Sequence, residues 1–398
     1  MDILQKIKVL AAEYKTEIIK HRRHLHMYPE LSFEEENTGK YIAKYLSDLG
    51  IPHTTGWVEH GVVATIEGGQ GGPTIALRGD IDALPIQEAN DVAYKSTNEG
   101  KMHACGHDVH TASLMGVAKI LWELKDDIKG TVRLIFQPGE EKLPGGASIM
   151  IKEGVLSDPK PISIYGQHVY PPLEVGKVGY KSGMYMASAD EIYLKVTGLG
   201  GHGALPHNCI DTVLLSARIL EALQAVVSRH CNPNIPSVLS FGKINSDGGA
   251  TNVIPDIVRI EGTFRTMNEE WRYQAHEHIK KIAQHTAQSM GGSCDVDIQI
   301  GYPCLINHAA ETDFVNQVMI DYLGEENVVE LPIRLTAEDF SYFSQVSDAC
   351  FYRLGTGNSA KGITSPVHTP NFDIDEDALE IGMGLMAFLA VLRLEKVK

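Results

Sequence analysis

Eight consecutive residues, His103-Ala104-Cys105-Gly106-His107-Asp108-Val109-His110, set the strongest condition on how this chain folds. Three imidazoles, a thiol and a carboxylate open an apolar helical run in which Leu114, Val117, Ala118, Leu121 and Leu124 form one stripe. Burying such a stretch requires hydrogen-bond partners or a metal ion for its polar groups. Cys105 and His107, two positions apart, are suited to be metal ligands, but a complete site needs further ligands from elsewhere in the chain.

The rest of the chain alternates strands and helices. Ile3, Ile7, Leu10, Tyr14 and Ile18 recur at helical spacing, and Pro29 ends that pattern. The basic, His-rich segment from His21 reads as a solvated turn. Ser32 with Glu35 reads as a capping box for the next helix, carried by Thr38, Tyr41, Ile42, Tyr45 and Leu49. Val62 to Glu67 and Thr74 to Gly79 read as strands, with Gly68 to Gly72 as a hairpin turn. That glycine run lacks Lys-Ser/Thr and leads into a strand, which excludes a phosphate loop. Further strands are expected at residues 131–137 and 162–167. Chemistry follows them: Asp80 and Asp82, Glu140 and Glu141, and His168 all fall at strand carboxyl ends, where open α/β sheets place their ligand crevices.

The pattern changes near residue 179. Glu191 to Val196 alternates strictly, as a half-exposed strand does. A helix with Val213, Ala217, Leu220 and Val227 follows, then strands 237–243 and 257–264, a helix with Ala275, Ile279 and Ile282, and a strand at 295–300. The order β-α-β-β-α-β is that of a ferredoxin-like unit. Residues 179–297 are therefore expected to form an inserted second domain, with 1–178 and 298–398 forming the first. A chain of 398 residues is long enough for this division.

A formal net charge of -16 without a Lys/Arg run argues against nucleic-acid and acidic-membrane partners. No stretch reaches the roughly 18 uninterrupted apolar residues of a membrane span. The amino terminus reads as an amphipathic helix without a signal-peptide core. Six scattered cysteines without framework spacing suggest reduced thiols and a cytoplasmic location.

Cys105, His107, Glu140, Glu141, His168 and His368 together make a set suited to Zn²⁺, Mn²⁺, Co²⁺ or Ni²⁺ rather than Ca²⁺. Two metals sharing a bridging group need about five protein ligands, which leaves one carboxylate free as a general base. Glu140 and Glu141 can divide those tasks if the segment is extended, because neighbours then point opposite ways.

The motifs His-Ala-Cys-Gly-His-Asp, Gln-Pro-Gly-Glu-Glu, Gly-Gln-His, Gly-Gly-His-Gly-Ala-Leu-Pro-His, Asn-Val-Ile-Pro, Ala-Glu-Asp-Phe and Pro-Val-His-Thr-Pro-Asn-Phe-Asp occur in that order. Together they resemble the aminoacylase-like binuclear metallopeptidases. The branch is that of hippurate hydrolases, N-acetyl-diaminopimelate deacetylases and plant auxin-conjugate amidohydrolases.

The resemblance implies a zinc-peptidase-like α/β/α catalytic domain with an inserted ferredoxin-like lid and dimerisation domain. It further implies two divalent ions per subunit, Zn²⁺ or Mn²⁺ first, with Cys105 bridging and His107, Glu141, His168 and His368 as the other ligands. Glu140 would be the base that activates a metal-bridging water, His202 the oxyanion donor, and Asn252 and Arg265 the groups that meet the substrate carboxylate. Asp82, Asp108 and Asp339 would orient ligand histidines or cap helices.

The expected reaction is hydrolysis of N-acyl amino acids by a homodimer that pairs through the lid domain. Dipeptidase or carboxypeptidase action at the same site is the near alternative, and a Cys105 thiol hydrolase the distant one. Zinc-dependent nucleobase deamination is disfavoured because Pro-Cys-x-x-Cys is missing. Lys142-Leu143-Pro144 replaces the glycines usual after the paired glutamates, so the pocket rim is expected to differ.

Overall fold

The computed structural model describes residues 2–396. Cα packing separates them into two units. One contains the chain up to Gly183, Ile306–Pro332 and the chain from Asp339; the other contains Met184–Leu305 with Ile333–Glu338.

The first unit opens with helices α1 (Ile3–Met27) and α2 (Glu36–Leu49), then strands β1 (His53–Trp57), β2 (Gly61–Glu67) and β3 (Gln70–Asp80). Helix α3 (His107–Glu123), β4 (Lys129–Gln137), α4 (Gly146–Lys152), β5 (Ile164–Glu174) and β6 (Val178–Tyr180) follow. The second unit holds β7 (Asp190–Thr197), β8 (Gly201–His202), α5 (Thr212–Ala225), β9 (Ser237–Ser246), β10 (Val253–Ile254), β11 (Ile257–Thr266), α6 (Glu269–Ser289) and β12 (Ser293–Ile300). The first unit resumes with α7 (Ala309–Leu323), β13 (Val328–Glu330), α8 (Ser341–Ser344), β14 (Ala349–Gly357) and α9 (Asp377–Glu395).

An eight-stranded sheet in the order β1-β2-β4-β3-β5-β14-β6-β13 spans the first unit. Its centre, β4-β3-β5-β14, is parallel, and β1 and β2 add an antiparallel edge. The central strands are buried on both faces, which explains their nearly continuous apolar sequences. Helix α3 packs against α1, α9 and β3, and almost every residue along it is buried. Its polar first turn is therefore carried into the interior at the carboxyl end of the parallel strands.

Four expectations are corrected here. The glycine run 68–72 does not close a hairpin, because β4 lies between β2 and β3. The run crosses the start of β4 instead, with Gly68 N–H donating to Gly130 O and Gly69 N–H to Lys125 O. The capping box does not form: Ser32 Oγ donates to Asp82 Oδ2 at 2.7 Å, and Glu35 Oε1 accepts the Gly139 amide at 2.7 Å.

The His-rich segment is not a solvated corner. It is the last part of α1, where Arg22 and His26 are wholly buried because Asp108 lies between them, 2.7 Å from Arg22 Nε and 2.8 Å from His26 Nδ1. Finally, His168 lies within β5 rather than past its end, since pairing with β14 continues through Tyr170.

The second unit is an antiparallel four-stranded sheet in the order β9-β11-β7-β12. With α5 and α6 it has the β-α-β-β-α-β order and strand arrangement of a ferredoxin-like fold. Its own core is formed by Ile192, Leu194 and Val196 from β7 with Leu215, Ile219, Leu223, Ala275, Ile279 and Ala283 from the helices. The units divide after Gly183 rather than at 179, because β6 pairs with β13 and β14 of the large sheet. Residues 298–305 go with the second unit, as β12 runs to Ile300, and so does 333–338, where Arg334 bridges to Met186.

Candidate metal centre

Three local devices present the donors. Gly106, at φ +84°, ends the loop and starts α3, which places His107 in its first turn. Gln137 ends β4, and a tight turn then carries Glu140 and Glu141. His368 has φ +62°, an uncommon region for a non-glycine residue, and its amide is tied to Ala104 O at 2.7 Å. That bond fixes the His368 loop beside Cys105.

The ligating atoms of Cys105, His107 and His168 lie within 4.8 Å of one another, as do those of Cys105, Glu141 and His368, and those of His107, Glu140 and Glu141. Cys105 Sγ is 3.4 Å from His168 Nε2 and 3.2 Å from His368 Nε2. Glu141 Oε1 is 3.3 Å from His368 Nε2 and 3.9 Å from His107 Nε2, while Glu140 Oε2 is 4.0 Å from the same His107 nitrogen. The two glutamates thus converge on His107 instead of pointing opposite ways. Residues 138–145 form a turn, so the alternation of an extended strand does not apply.

The neighbouring groups set which nitrogen of each imidazole faces inward. His107 Nδ1 lies 2.9 Å from Asp82 O and 3.0 Å from Asp82 Oδ1, which makes it the donor and leaves the Nε2 lone pair free. His168 Nδ1 likewise donates to Val169 O at 2.8 Å. His110 is a different case: Nδ1 is 2.6 Å from Asp80 Oδ1, and Nε2 accepts the Val169 amide at 2.9 Å. His103 is buried with neither ring nitrogen hydrogen-bonded, and burial lowers it to about 4.

These residues fit metal ions on a structural test. His107 Nε2 is a buried atom without a hydrogen-bond partner, and it faces the donor set. Charge agrees. Burial would lower His107, yet Asp80 and Cys105 raise it well above its ordinary value. Hydrogen bonds to Cys105 and then Glu141 raise His368 to about 10. Burial, followed by Arg353, presses His168 well below its ordinary value. The Cys105 thiol is raised by burial and then by Glu141, the reverse of what a free thiol nucleophile needs.

Asp82 does orient His107, and its Oδ2 also accepts the Glu141 amide at 2.9 Å. Asp108 instead pairs with Arg22 and His26. Burial alone would raise it, and those two partners hold it well below the usual carboxylate range. Asp339 accepts from the Ala147 amide in α4 at 2.9 Å and pairs with Arg78 at 2.6 Å. Arg78 was missed as a contributor, Ser32 and Glu35 were read only as a helix cap, and Asp80 was placed at the crevice without its partners Arg78 and His110. Only Arg78 and Asp80 left a signal in the sequence, as charges on an otherwise apolar strand.

The remaining predicted residues lie in the second unit. His202 is exposed on β8, opposite Val253 of β10, and its Nδ1 accepts the Ala204 amide at 3.1 Å. Asn252 is exposed beside it, its carbonyl taking the Gly203 amide at 2.8 Å. Arg265 is on β11, and its Nη1 donates to Leu335 O at 3.2 Å.

An α/β unit with thiol, imidazole and carboxylate donors at its strand ends, interrupted by a ferredoxin-like unit, has the architecture of a metallohydrolase. Comparison makes the class specific. Residues 76–391 match peptidase family M20/M25/M40. The chain is 38% identical to thermostable carboxypeptidase 1 of Saccharolobus solfataricus over 98% of this chain and 99% of that one. It is 41% identical to an N-acyl-L-amino acid amidohydrolase of Geobacillus stearothermophilus over 76% of this chain and 81% of that one. Among solved structures, a dinuclear metal-binding M20 peptidase from Bacillus subtilis superposes with a TM-score of 0.84 at 34% identity, covering 97% of this chain and 100% of that one. The chain belongs to peptidase family M20/M25/M40 and is a hydrolase of amide bonds.

Proposed function

We propose that the chain is a metal-dependent amidohydrolase cleaving the amide bond of N-acyl amino acids that carry a free carboxylate. The observation that carries this reading is the pair of donor triads sharing Cys105, with Glu140 beside them. The N-acyl-L-amino acid amidohydrolase relative supports the substrate class.

Cys105, His107, Glu141, His168 and His368 would hold two divalent ions. Zn²⁺ and Mn²⁺ are the first candidates for this donor set, with Co²⁺ and Ni²⁺ behind them. When bound, such ions polarise the amide carbonyl and make water acidic enough to lose a proton near neutrality. Glu140 takes that proton on a carboxylate oxygen and returns it to the departing amine nitrogen. Asp82 keeps His107 in the tautomer that presents Nε2.

We assign the oxyanion contact to His202. Its Nδ1 already accepts a hydrogen bond, which favours the tautomer carrying the proton on Nε2. Asn252 and Arg265 are assigned to the substrate carboxylate. We take the second unit, 179–297 in the sequence reading, as the lid and the dimerisation domain. Its support is the outer strand β9, at the edge of its sheet, and the exposed Val213 and Leu214 on α5, features that a second copy would cover. Six free cysteines suit a reducing, cytoplasmic location.

Peptide-bond cleavage at the same site is the second reading, favoured by the carboxypeptidase relative. A hydrolysis panel of N-acyl amino acids, N-blocked peptides and dipeptides, run on chelator-treated protein with Mn²⁺, Zn²⁺, Co²⁺ or Ni²⁺ restored, tests both. Metal-dependent release of amino acids from acylated substrates is expected. Release only from peptides would favour the second reading, and no metal-dependent cleavage in any arm would refute both.

A further inference from the structure

Behind Glu140 lies a buried network that the proposed reaction does not itself use. Asp339 is fully buried, and its Oδ1 accepts from Arg78 Nη2 at 2.6 Å. Its Oδ2 accepts from Gln137 Nε2 at 2.7 Å and from the Ala147 amide at 2.9 Å. Arg78 Nε donates in turn to Gln137 Oε1 at 2.8 Å, and its Nη1 to Asp80 Oδ2 at 2.6 Å. Gln137 ends β4 and Ala147 lies in α4, so the Asp339 carboxylate binds both ends of the turn that carries Glu140. The Asp339 backbone N–H is directed at that turn and reaches Glu140 Oε1 at 3.3 Å. Catalytic hydrogen bonds of this length commonly tighten once substrate is bound.

We infer that Asp339 is a positioning residue for the base: its side chain, fixed by Arg78, Gln137 and the Ala147 amide, holds its own amide against Glu140 and so sets the direction in which Glu140 presents its second oxygen. The inference rests on the reading of Glu140 as general base. It also explains why two buried carboxylates, Asp80 and Asp339, share one buried guanidinium. Arg78 joins the Glu140 turn to Asp80, whose other oxygen fixes His110. The His110 ring in turn packs on His168 with centroids 4.6 Å apart. Base and metal-binding imidazoles are thereby braced by one network.

The test uses metal-loaded full-length enzyme and three variants: Asp339→Asn, Asp339→Asn with Gln137→Glu, and Glu140→Gln. The Asp339→Asn substitution sets an NH₂ against donors, loosening the turn without changing side-chain volume. The expected result is a loss in kcat of roughly 10- to 100-fold, the scale of a misplaced catalytic group, with KM within about twofold and metal content unchanged. Adding Gln137→Glu supplies a carboxylate that accepts from the new NH₂ while still accepting from Arg78 Nε; the Ala147 amide stays unpaired, so the double variant should recover part of the loss, about threefold or more in kcat.

Wild-type turnover in Asp339→Asn alongside an inactive Glu140→Gln overturns the positioning role and leaves the base intact. So does a loss of metal in step with kcat, or no recovery in the double variant. Full activity in Glu140→Gln removes the base itself, a distinguishable failure. If Asp339→Asn does not fold, Gln137→Met carries the test. A fall in kcat of about threefold or more at unchanged KM is then expected, and unchanged kcat overturns the inference.

Discussion

Gly146 is where a single methyl group should do the most damage to catalysis with the least change in chemistry. It is the first residue of α4, and its amide donates to Gly139 O at 2.9 Å, closing the turn that carries Glu140 and Glu141. A Cβ built there would lie 1.7 Å from Pro138 O, against the 3.0 Å below which real Cβ contacts essentially do not occur. The obstructing atom is backbone, so no rotamer change relieves it. The turn must open by about 1.3 Å, the difference between those distances. Misplacing a catalytic group by about 1 Å lowers turnover on the order of 100-fold, which is the loss in kcat expected of Gly146→Ala. Weakening the Gly146–Gly139 bond should lower stability by about 1 kcal/mol or more. Steady-state hydrolysis, metal content by mass spectrometry and a thermal melt measure the three effects. Gly71→Ala serves as control, since a Cβ there meets nothing within 4 Å. If Gly146→Ala turned over within about threefold of wild type at an unchanged Tm, the claim that this turn holds the base in place would be wrong.

Other outcomes follow from the same geometry. Glu140→Gln should keep its metal and lose roughly 10²- to 10⁴-fold in kcat, whereas His107→Ala should lose metal; equal metal content in the two would undo the division between base and ligand. Cys105→Ser should weaken metal binding at both positions if the thiolate is shared, so a titration showing two unaltered affinities would contradict the bridge. His202→Ala should lower kcat by about two to three orders while sparing metal, and unchanged turnover removes it from the mechanism.

Glu35 gives a pH signature in stability. Burial and then Asp82 push its carboxyl up to about 8, above an ordinary value of 4.5. A raised value in the fold means that its contribution is fully present below about pH 4.5 and is lost as pH rises through about 8. The ceiling is about 5 kcal/mol. Wild type should therefore lose Tm between about pH 4.5 and 8, and Glu35→Gln should lose less; parallel curves would show that Glu35 does not carry the effect.

Much of the scaffold was legible because its constraints are local. Strict alternation from Glu191 to Val196 belongs to a strand with one buried face, and β7 has that burial pattern. The long apolar runs of β3 and β4 are buried on both faces. Short strands were not legible: β6 and β13 have three residues each and exist through the neighbours they pair with. The hairpin at Gly68 failed for a related reason. A glycine turn specifies that the chain reverses, but not whether another strand, formed about 60 residues later, enters between the two arms.

The cluster of possible donors was legible because thiols, imidazoles and carboxylates able to ligate a metal are chemically conspicuous wherever they fall. Its support was not, and the reason is physical. Asp108 is held by Arg22 from 86 residues earlier, and Asp339 by Arg78 from 261 residues earlier. Each residue alone has an unremarkable surface explanation, because Asp and Arg are mostly exposed. Only burial converts them into obligate partners, since removing one leaves the other charged and unpaired. Ser32 and Glu35 show the same limit in a sharper form. Their spacing is that of a helix cap, yet the fold directs Ser32 to Asp82 and Glu35 to the Gly139 amide. A local bond worth about 1 kcal/mol was available to both, and tertiary partners displaced it. In this chain, polar spacing that imitates a cap therefore marks residues pressed against the site, and the segment 32–35 belongs to the support of Glu140 as much as the turn that carries it.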